Sequence, residues 1–214
     1  MKSADPKALL ERGCAVLTVN VPAGTEDRLL EFVRLLVKWN STYNLTAIRD
    51  AAGIVSKHLL DSLSVLPFLQ GRRIVDVASG AGLPGIPLAL ACPERHFVLL
   101  DSNGKKTRFV THALTALGLQ NSEVVQARAE DYRPAELFAT VISRAFASLP
   151  DFMRLAGHLG APGASFLAMK GKPPTDEMRA LPAGFRATVH PLAVPGLKAQ
   201  RCVVEIHKEQ GSEA

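Results

Sequence analysis

Asp76-Val77-Ala78-Ser79-Gly80-Ala81-Gly82-Leu83-Pro84-Gly85 is the stretch that decides the fold. Ile74-Val75-Asp76-Val77, at its front, reads as a short buried strand, and the apolar segment behind it reads as a helix to about residue 91. A glycine-rich turn has meaning only in such a strand–turn–helix context. Glycine lets the backbone approach a ligand where a β-carbon would collide with it. Pro84 suits a first helical turn, where its missing N–H is no loss.

Two ligand classes compete for this turn. Gly80, Gly82 and Gly85 spell the GxGxxG of dinucleotide binders, which seat a pyrophosphate on the helix N-terminus. The turn opens on an acid, however, and Asp76 suits a ligand with ammonium and sulfonium charges better than a pyrophosphate. Asp101, ending the next strand, can accept ribose hydroxyls from either class. The acid-led turn favours S-adenosylmethionine over a nicotinamide dinucleotide.

Outward from the turn, further strands are predicted at 97–101, 123–125, 140–143 and 164–169, with helices at 104–117 and 149–158 between them. Two extended runs, 185–192 and 201–207, are expected to pair as a terminal antiparallel hairpin. This alternation implies an α/β fold with a mostly parallel seven-stranded sheet and helices on both faces. Before Gly71 the spacing is helical instead. Helices are predicted at 6–17, 25–39 and 53–66, with the polar, turn-rich Asn40-Ser41-Thr42-Tyr43-Asn44 between the last two. The chain thus divides into an N-terminal helical region, 1–70, packed on a core of 71–214.

The 214 residues suffice for one α/β domain with a modest extension. Hydrophobic residues at 47% and charged residues at 21% are ordinary for a soluble protein. The net charge of +5 permits a polyanionic partner without requiring one. Cys14, Cys92 and Cys202 are far apart and form no CxxC or His/Cys cluster, so core roles and no metal are expected. No signal-peptide layout or bilayer-spanning stretch is evident, so a cytoplasmic protein without membrane contact is expected.

Several longer strings resemble the RsmG (GidB) family. They are Trp39–Ile48, His58-Leu59-Leu60-Asp61-Ser62-Leu63, the glycine turn through Pro87, Leu100-Asp101-Ser102 with Lys105-Lys106, the 141–147 string around Arg144, and Met169-Lys170-Gly171. They stand in the family's order from about residue 25 to 205. The resemblance implies a Rossmann-like class I methyltransferase that uses S-adenosyl-L-methionine. It implies as product a guanine methylated at N7 in the decoding-region loop of 16S ribosomal RNA, with the small ribosomal subunit as partner. A monomer is expected. Family-like cofactor positions fall on Ala78, Gly80, Gly82, Leu83, Asp101, Ala129, Glu130 and Arg144. Ala78 departs from the family's glycine, and its methyl crowds the loop if the position needs positive φ.

Guanine N7 carries a lone pair and no proton, so no general base is needed. The rival chemistries lack their residues. No cysteine follows the fourth strand for attack on a pyrimidine, and Ser143-Arg144-Ala145-Phe146 stands where amine methylation typically uses (N/D)PP(Y/F). Clustered acids for a metal are missing as well. Arg144, at the carboxyl end of the fourth strand, is the candidate catalytic residue. Its guanidinium suits the methionine carboxylate, a phosphate or guanine O6, with an ion pair to Asp76 or Asp131 as the structural alternative. Phe146 is read as a base-stacker or a core aromatic. Asn40, Asn44 and Thr46 are read as cofactor- or RNA-contacting loop residues, with capping and turn formation as the alternative. His58 and Asp61 are spaced for an i, i+3 pair, read as structural or substrate-positioning in preference to proton transfer. Lys105 and Lys106 are read as RNA phosphate contacts or a solvated helix face, and Lys170 as a phosphate contact at the sheet's edge.

Overall fold

The computed structural model describes residues 5–146 and 148–209. Ala147, at the end of the 141–147 string, and residues 1–4 and 210–214 of the expected domain bounds lie outside them. The helical region comprises α1 (Pro6–Val16), α2 (Thr25–Tyr43), α3 (Ala51–Ile54), a π-helical turn Val55–Leu59 and α4 (Leu60–Leu63). Then follow β1 (Arg73–Val77), α5 (Gly85–Ala91), β2 (His96–Asp101), α6 (Gly104–Ala116), β3 (Ser122–Gln126) and β4 (Phe138–Arg144). The chain continues through α7 (Leu149–Ala156), β5 (Gly160–Lys170), α8 (Thr175–Arg179), β6 (Phe185–Pro191) and β7 (Cys202–Lys208).

The seven strands form one sheet in the order β3-β2-β1-β4-β5-β7-β6. The first five are parallel, and β7 runs antiparallel between β5 and β6. The expected 185–192/201–207 hairpin exists, but its second strand is wedged into the sheet rather than added at its edge. The first three parallel pairings bring Val77, Asp101 and Arg144 to the same carboxyl edge of the sheet, because β1 registers with β2 through Val77↔Leu100 and with β4 through Asp76↔Ile142. Open α/β sheets bind ligands along that edge.

Alternation along the strands separates two apolar layers. Ile74, Phe97, Leu99, Ile142 and Leu167 face one side, where Leu10, Leu29, Phe32, Leu36, Ile54 and Leu59 from the helical region complete a single cluster. The N-terminal helices therefore bury their apolar stripes on the sheet itself and have no separate core. Val75, Val77, Val98, Leu100 and Val141 face the other side and pack on Leu149, Phe152 and Leu159. Each fully buried Leu or Phe contributes roughly 1.5–3 kcal/mol. Cys14 and Cys202 are buried and Cys92 half-buried, all as free thiols.

One local reading is corrected. The polar run at 40–44 is predicted as a turn, yet α2 continues through Tyr43. The helix tolerates Asn40 because its side chain points into the loop that follows. Its amide donates to the carbonyls of Thr46 (2.9 Å) and Ile48 (3.2 Å) and accepts from the Thr46 N–H (2.8 Å). Asn44 ends the helix at φ 50°, a left-handed conformation that asparagine adopts more readily than most residues. The third predicted helix starts where the Asp50 carboxylate caps the Gly53 N–H at 2.7 Å, and it contains the π-helical turn that periodicity did not show.

Candidate functional site

Beneath the glycine turn, Asp76 is fully buried, and its Oδ2 accepts the Gly85 N–H at 2.8 Å. Its Oδ1 has no hydrogen-bond partner among the described residues. Burial pushes the Asp76 carboxyl up to about 7, against the pull of the Gly85 hydrogen bond and the Arg144 charge. Asp76 thus closes the N-terminus of α5 from inside, at the place where a dinucleotide binder would present N–H groups to a pyrophosphate. The antiparallel β7 also breaks the 3-2-1-4-5-6 order of dinucleotide-binding sheets.

The three glycines of the turn have different reasons to lack a side chain. A β-carbon on Gly82 would lie 2.5 Å from Ile86 Cδ1, and one on Gly85 would lie 1.9 Å from Leu99 Cδ2. Both serve packing. A β-carbon on Gly80 would meet only the Ala78 carbonyl, at 3.9 Å, so Gly80 faces open space. Ala78 sits at φ 57° and is exposed, so the position the family fills with glycine does require a left-handed backbone. Ala145 is at φ 61° across the crevice.

A cavity of about 470 Å³ opens here between the turn, the Leu45-Thr46 loop and the end of β4. Ala78, Ser79, Gly80, Ala81 and Leu83 form its floor, with Asp101, Ser102, Asn103 and Lys106 on one side and His58, Arg144 and Ala145 on the other. The Asp101 carboxylate accepts from the Gly80 N–H and the Asn103 N–H, each at 2.8 Å, which ties the turn to the second strand. A second cavity of about 200 Å³ shares Ala78, Asp101 and Ser102 and continues to Ala129, Glu130 and Phe146. Phe146 also packs on Phe152, with ring centroids 5.5 Å apart. The two lobes meet at the acidic strand end, where Ala78, Asp101 and Ser102 line both.

A third cavity, also about 470 Å³, lies on the other side of Arg144 and shares His58, Arg144 and Ala145 with the first. Its wall carries Lys57, Lys170 and Arg201. Arg144 is held firmly. Its Nη1 lies 3.1 Å from His58 Nδ1 and 3.4 Å from Asp61 Oδ2, and His58 Nε2 meets Thr46 Oγ1 at 2.7 Å. Burial and the Arg144 charge hold His58 down at about 4, so the imidazole is neutral at pH 7. Burial pushes the Asp61 carboxyl up while Arg144 and Arg201 pull it back.

The structure therefore brings Ala78, Gly80, Leu83, Asp101, Lys106, His58 and Arg144 to one cavity, Ala129, Glu130 and Phe146 to its neighbour, and Lys170 to the third. Asp76 and Gly82 stand behind the cavity wall, as supports of the turn. The Asn40 side chain, 2% exposed, is committed to the loop backbone, so capping replaces the contact read for it. Exposed Asn44 accepts from Arg49 at 3.3 Å, and exposed Lys105 stands in the first turn of α6 without lining the cavity. Phe146 lines the smaller cavity with Ala129 and Glu130, apart from the cavity that carries Lys57, Lys170 and Arg201. Arg144 pairs with Asp61, not with Asp76 or Asp131. Thr46 lines the first cavity and Asp61 the third, whereas Lys57 and Arg201 were absent from the expected site. The HxxD spacing of His58 and Asp61 was the available local signal; nothing local marks Arg201, which reaches the site because β7 pairs directly with β5 and sets Cys202 opposite Lys170. Among the described residues no cluster suited to a metal ion occurs and no helix is long and apolar enough to cross a membrane.

Comparison with known proteins agrees with this geometry. In solved structures the fold is shared with a putative O-methyltransferase from Klebsiella pneumoniae (TM-score 0.60, 14% identity, 96% of this chain and 99% of that one). It is also shared with the O-methyltransferase TomG from Streptomyces achromogenes, solved in complex with SAM (TM-score 0.59, 14% identity, 97% and 100%). In sequence, the chain is 52% identical over 206 residues to ribosomal RNA small subunit methyltransferase G of Nitrosococcus oceani, covering 96% of each. It is 51% identical over 207 residues to the protein of that name from Aromatoleum aromaticum, covering 94% of this chain and 98% of that one. The profile described as GidB, rRNA small subunit methyltransferase G, matches residues 25–204. The chain belongs to the rRNA small subunit methyltransferase G family.

Proposed function

We propose that this chain, an S-adenosylmethionine-dependent methyltransferase by family, methylates N7 of a guanine in 16S ribosomal RNA of the small subunit. We take the target to lie in the decoding-region loop, a reading supported by the family resemblance alone. The observation that carries the acceptor chemistry is the wall shared by two cavities, formed by His58, Arg144 and Ala145. That wall offers cations but no free base, since both Asp61 oxygens are engaged by arginines and the two His58 ring nitrogens by Arg144 and Thr46. It suits an acceptor that already owns its lone pair and has no proton to lose.

When bound, the cofactor supplies an electrophilic methyl on a sulfonium, which an acceptor must approach in line. The chain's contribution is positioning, and well-oriented reactants can account for roughly 7–11 kcal/mol of a barrier. Gly80 and Asp101 define the cofactor bed, and Leu83 with Phe146 keeps it apolar. Arg144 donates toward the acceptor side, where guanine O6, beside N7, is a fitting acceptor. Lys57, Lys170 and Arg201 offer charge to the flanking phosphates. Labelled methyl transfer to small subunits from a strain lacking the protein, mapped by N7-specific strand cleavage, tests the proposal. A product at a base carbon or an exocyclic amine overturns it.

A further inference from the structure

Asp61 is a buried carboxylate, 3% exposed, with a cation on each oxygen. Oδ2 accepts from Arg144 Nη1 at 3.4 Å and Oδ1 from Arg201 Nε at 3.1 Å. The three residues come from α4, the last position of β4 and the position before β7, so they meet only in the folded sheet. A buried carboxylate is costly unless its oxygens are satisfied, and here the two guanidinia satisfy them. The same contacts restrain two long side chains that would otherwise lose rotamer freedom each time a ligand is bound. Arg144 Nη1 is gripped by both His58 and Asp61, which leaves Nη2 and Nε without a partner among the described residues. The π-helical turn Val55–Leu59, directly ahead of α4, lets His58 and Asp61 reach the same nitrogen. Such turns recur at functional sites.

We propose that Asp61 is a positioning residue that locks Arg144 and Arg201 into one rigid cationic pair on the acceptor-cavity wall, one carboxylate oxygen to each. It acts through the arginines, presenting them to the incoming nucleotide in a fixed geometry. The inference rests on the reading of that cavity as the acceptor site.

Asp61→Asn separates this from a packing role, because it keeps the shape while replacing one of the two accepting oxygens with an NH2 donor that faces a guanidinium. Nitrogen-15 spectra of arginine side chains should show a slowly exchanging Arg201 Nε–H and hindered rotation of the Arg144 guanidinium in the wild type. At least one of these should be lost in Asp61→Asn. kcat for methyl transfer should fall about 10- to 100-fold, as expected for misplaced reactive groups, while S-adenosylhomocysteine binding stays within about twofold. In an Arg144→Lys background the Asp61→Asn change should cost far less than it does alone. Freely rotating guanidinia in the wild type, unchanged kcat, or effects that multiply fully in the double variant would each overturn the assignment. If Asp61→Asn does not fold, the wild-type spectra decide. A wild type that transfers no methyl to small subunits would sink the functional reading while leaving the spectroscopic test of the pair intact.

Discussion

The Asp76 carboxylate receives the Gly85 N–H at 2.8 Å from beneath the turn, and it leaves its other oxygen buried without a partner. Its carboxyl is pushed up to about 7 by burial, so the folded protein holds a proton that the unfolded chain, with an ordinary carboxyl, has released. The stabilising contribution is complete below the unfolded value near 4 and is lost as pH rises through 7. Asp76→Asn mimics the protonated form at every pH. Its melting temperature relative to wild type should therefore rise between pH 5 and pH 8, by an amount on the order of a few kcal/mol in stability. A difference that stays flat with pH would show that Asp76 is ionised throughout.

Ala78 holds φ 57° where a β-carbon is disfavoured. Left-handed backbone costs a non-glycine residue roughly 1–2 kcal/mol, and glycine returns part of that gain as unfolded-state entropy. Ala78→Gly should be neutral to stabilising, by up to about 1 kcal/mol, or a few degrees in melting temperature. Clear destabilisation by thermal denaturation would mean that the methyl packs usefully against the cavity floor.

Gly82 should tolerate no side chain while Ile86 stands opposite it, at 2.5 Å from a would-be β-carbon and with φ at 76°. Gly82→Ala should cost about 2–4 kcal/mol, combining overpacking with backbone strain. Ile86→Val removes the closest carbon and should recover part of that loss in the double variant. Simple additivity in chemical denaturation would contradict the clash.

Phe146 and Lys170 should separate in ligand titrations, since one lines the smaller lobe beside Ala129 and the other the cavity with Lys57 and Arg201. Phe146→Ala should weaken S-adenosylhomocysteine binding by roughly 5- to 150-fold, through the loss of an aromatic contact worth about 1–3 kcal/mol. Lys170→Ala should leave that binding alone and raise KM for the ribosomal substrate, with a shallower salt dependence. Calorimetry of both variants checks the split, and equal effects of both on cofactor affinity would dissolve it.

The sheet and its helices were legible because their signals are local. Alternating β-branched runs such as Ile74–Val77 and the acid-led turn carry their meaning within ten residues. The glycines were legible as a motif but not as individuals. Only the neighbours at Ile86 and Leu99 show that Gly82 and Gly85 serve packing while Gly80 faces the ligand. Asn40 misled because a polar residue near a helix end signals termination, whereas its real partners, Thr46 and Ile48, lie in the following loop. Helix α8 is five residues long, too short for periodicity, yet its Glu177 accepts from both Lys170 Nζ (2.9 Å) and the Leu149 N–H (2.8 Å). The acceptor wall was least legible, because it is assembled from residues 58, 61, 144 and 201, which are brought together by topology alone.

That assembly has a temporal side. Arg201 reaches Asp61 through the pairing of β7 with β5, so the acceptor wall depends on a contact 140 residues apart in sequence, against 83 for Arg144 and Asp61. Long-range pairings of this kind tend to form late in folding. The two cavities over the glycine turn draw on β1, β2, β4 and the 127–130 segment but on nothing from β6 or β7, whereas the acceptor cavity takes Arg201 and Cys202 at the start of β7. A chain whose β6–β7 hairpin has not yet docked therefore lacks the second cation that would steer a nucleic acid onto that wall.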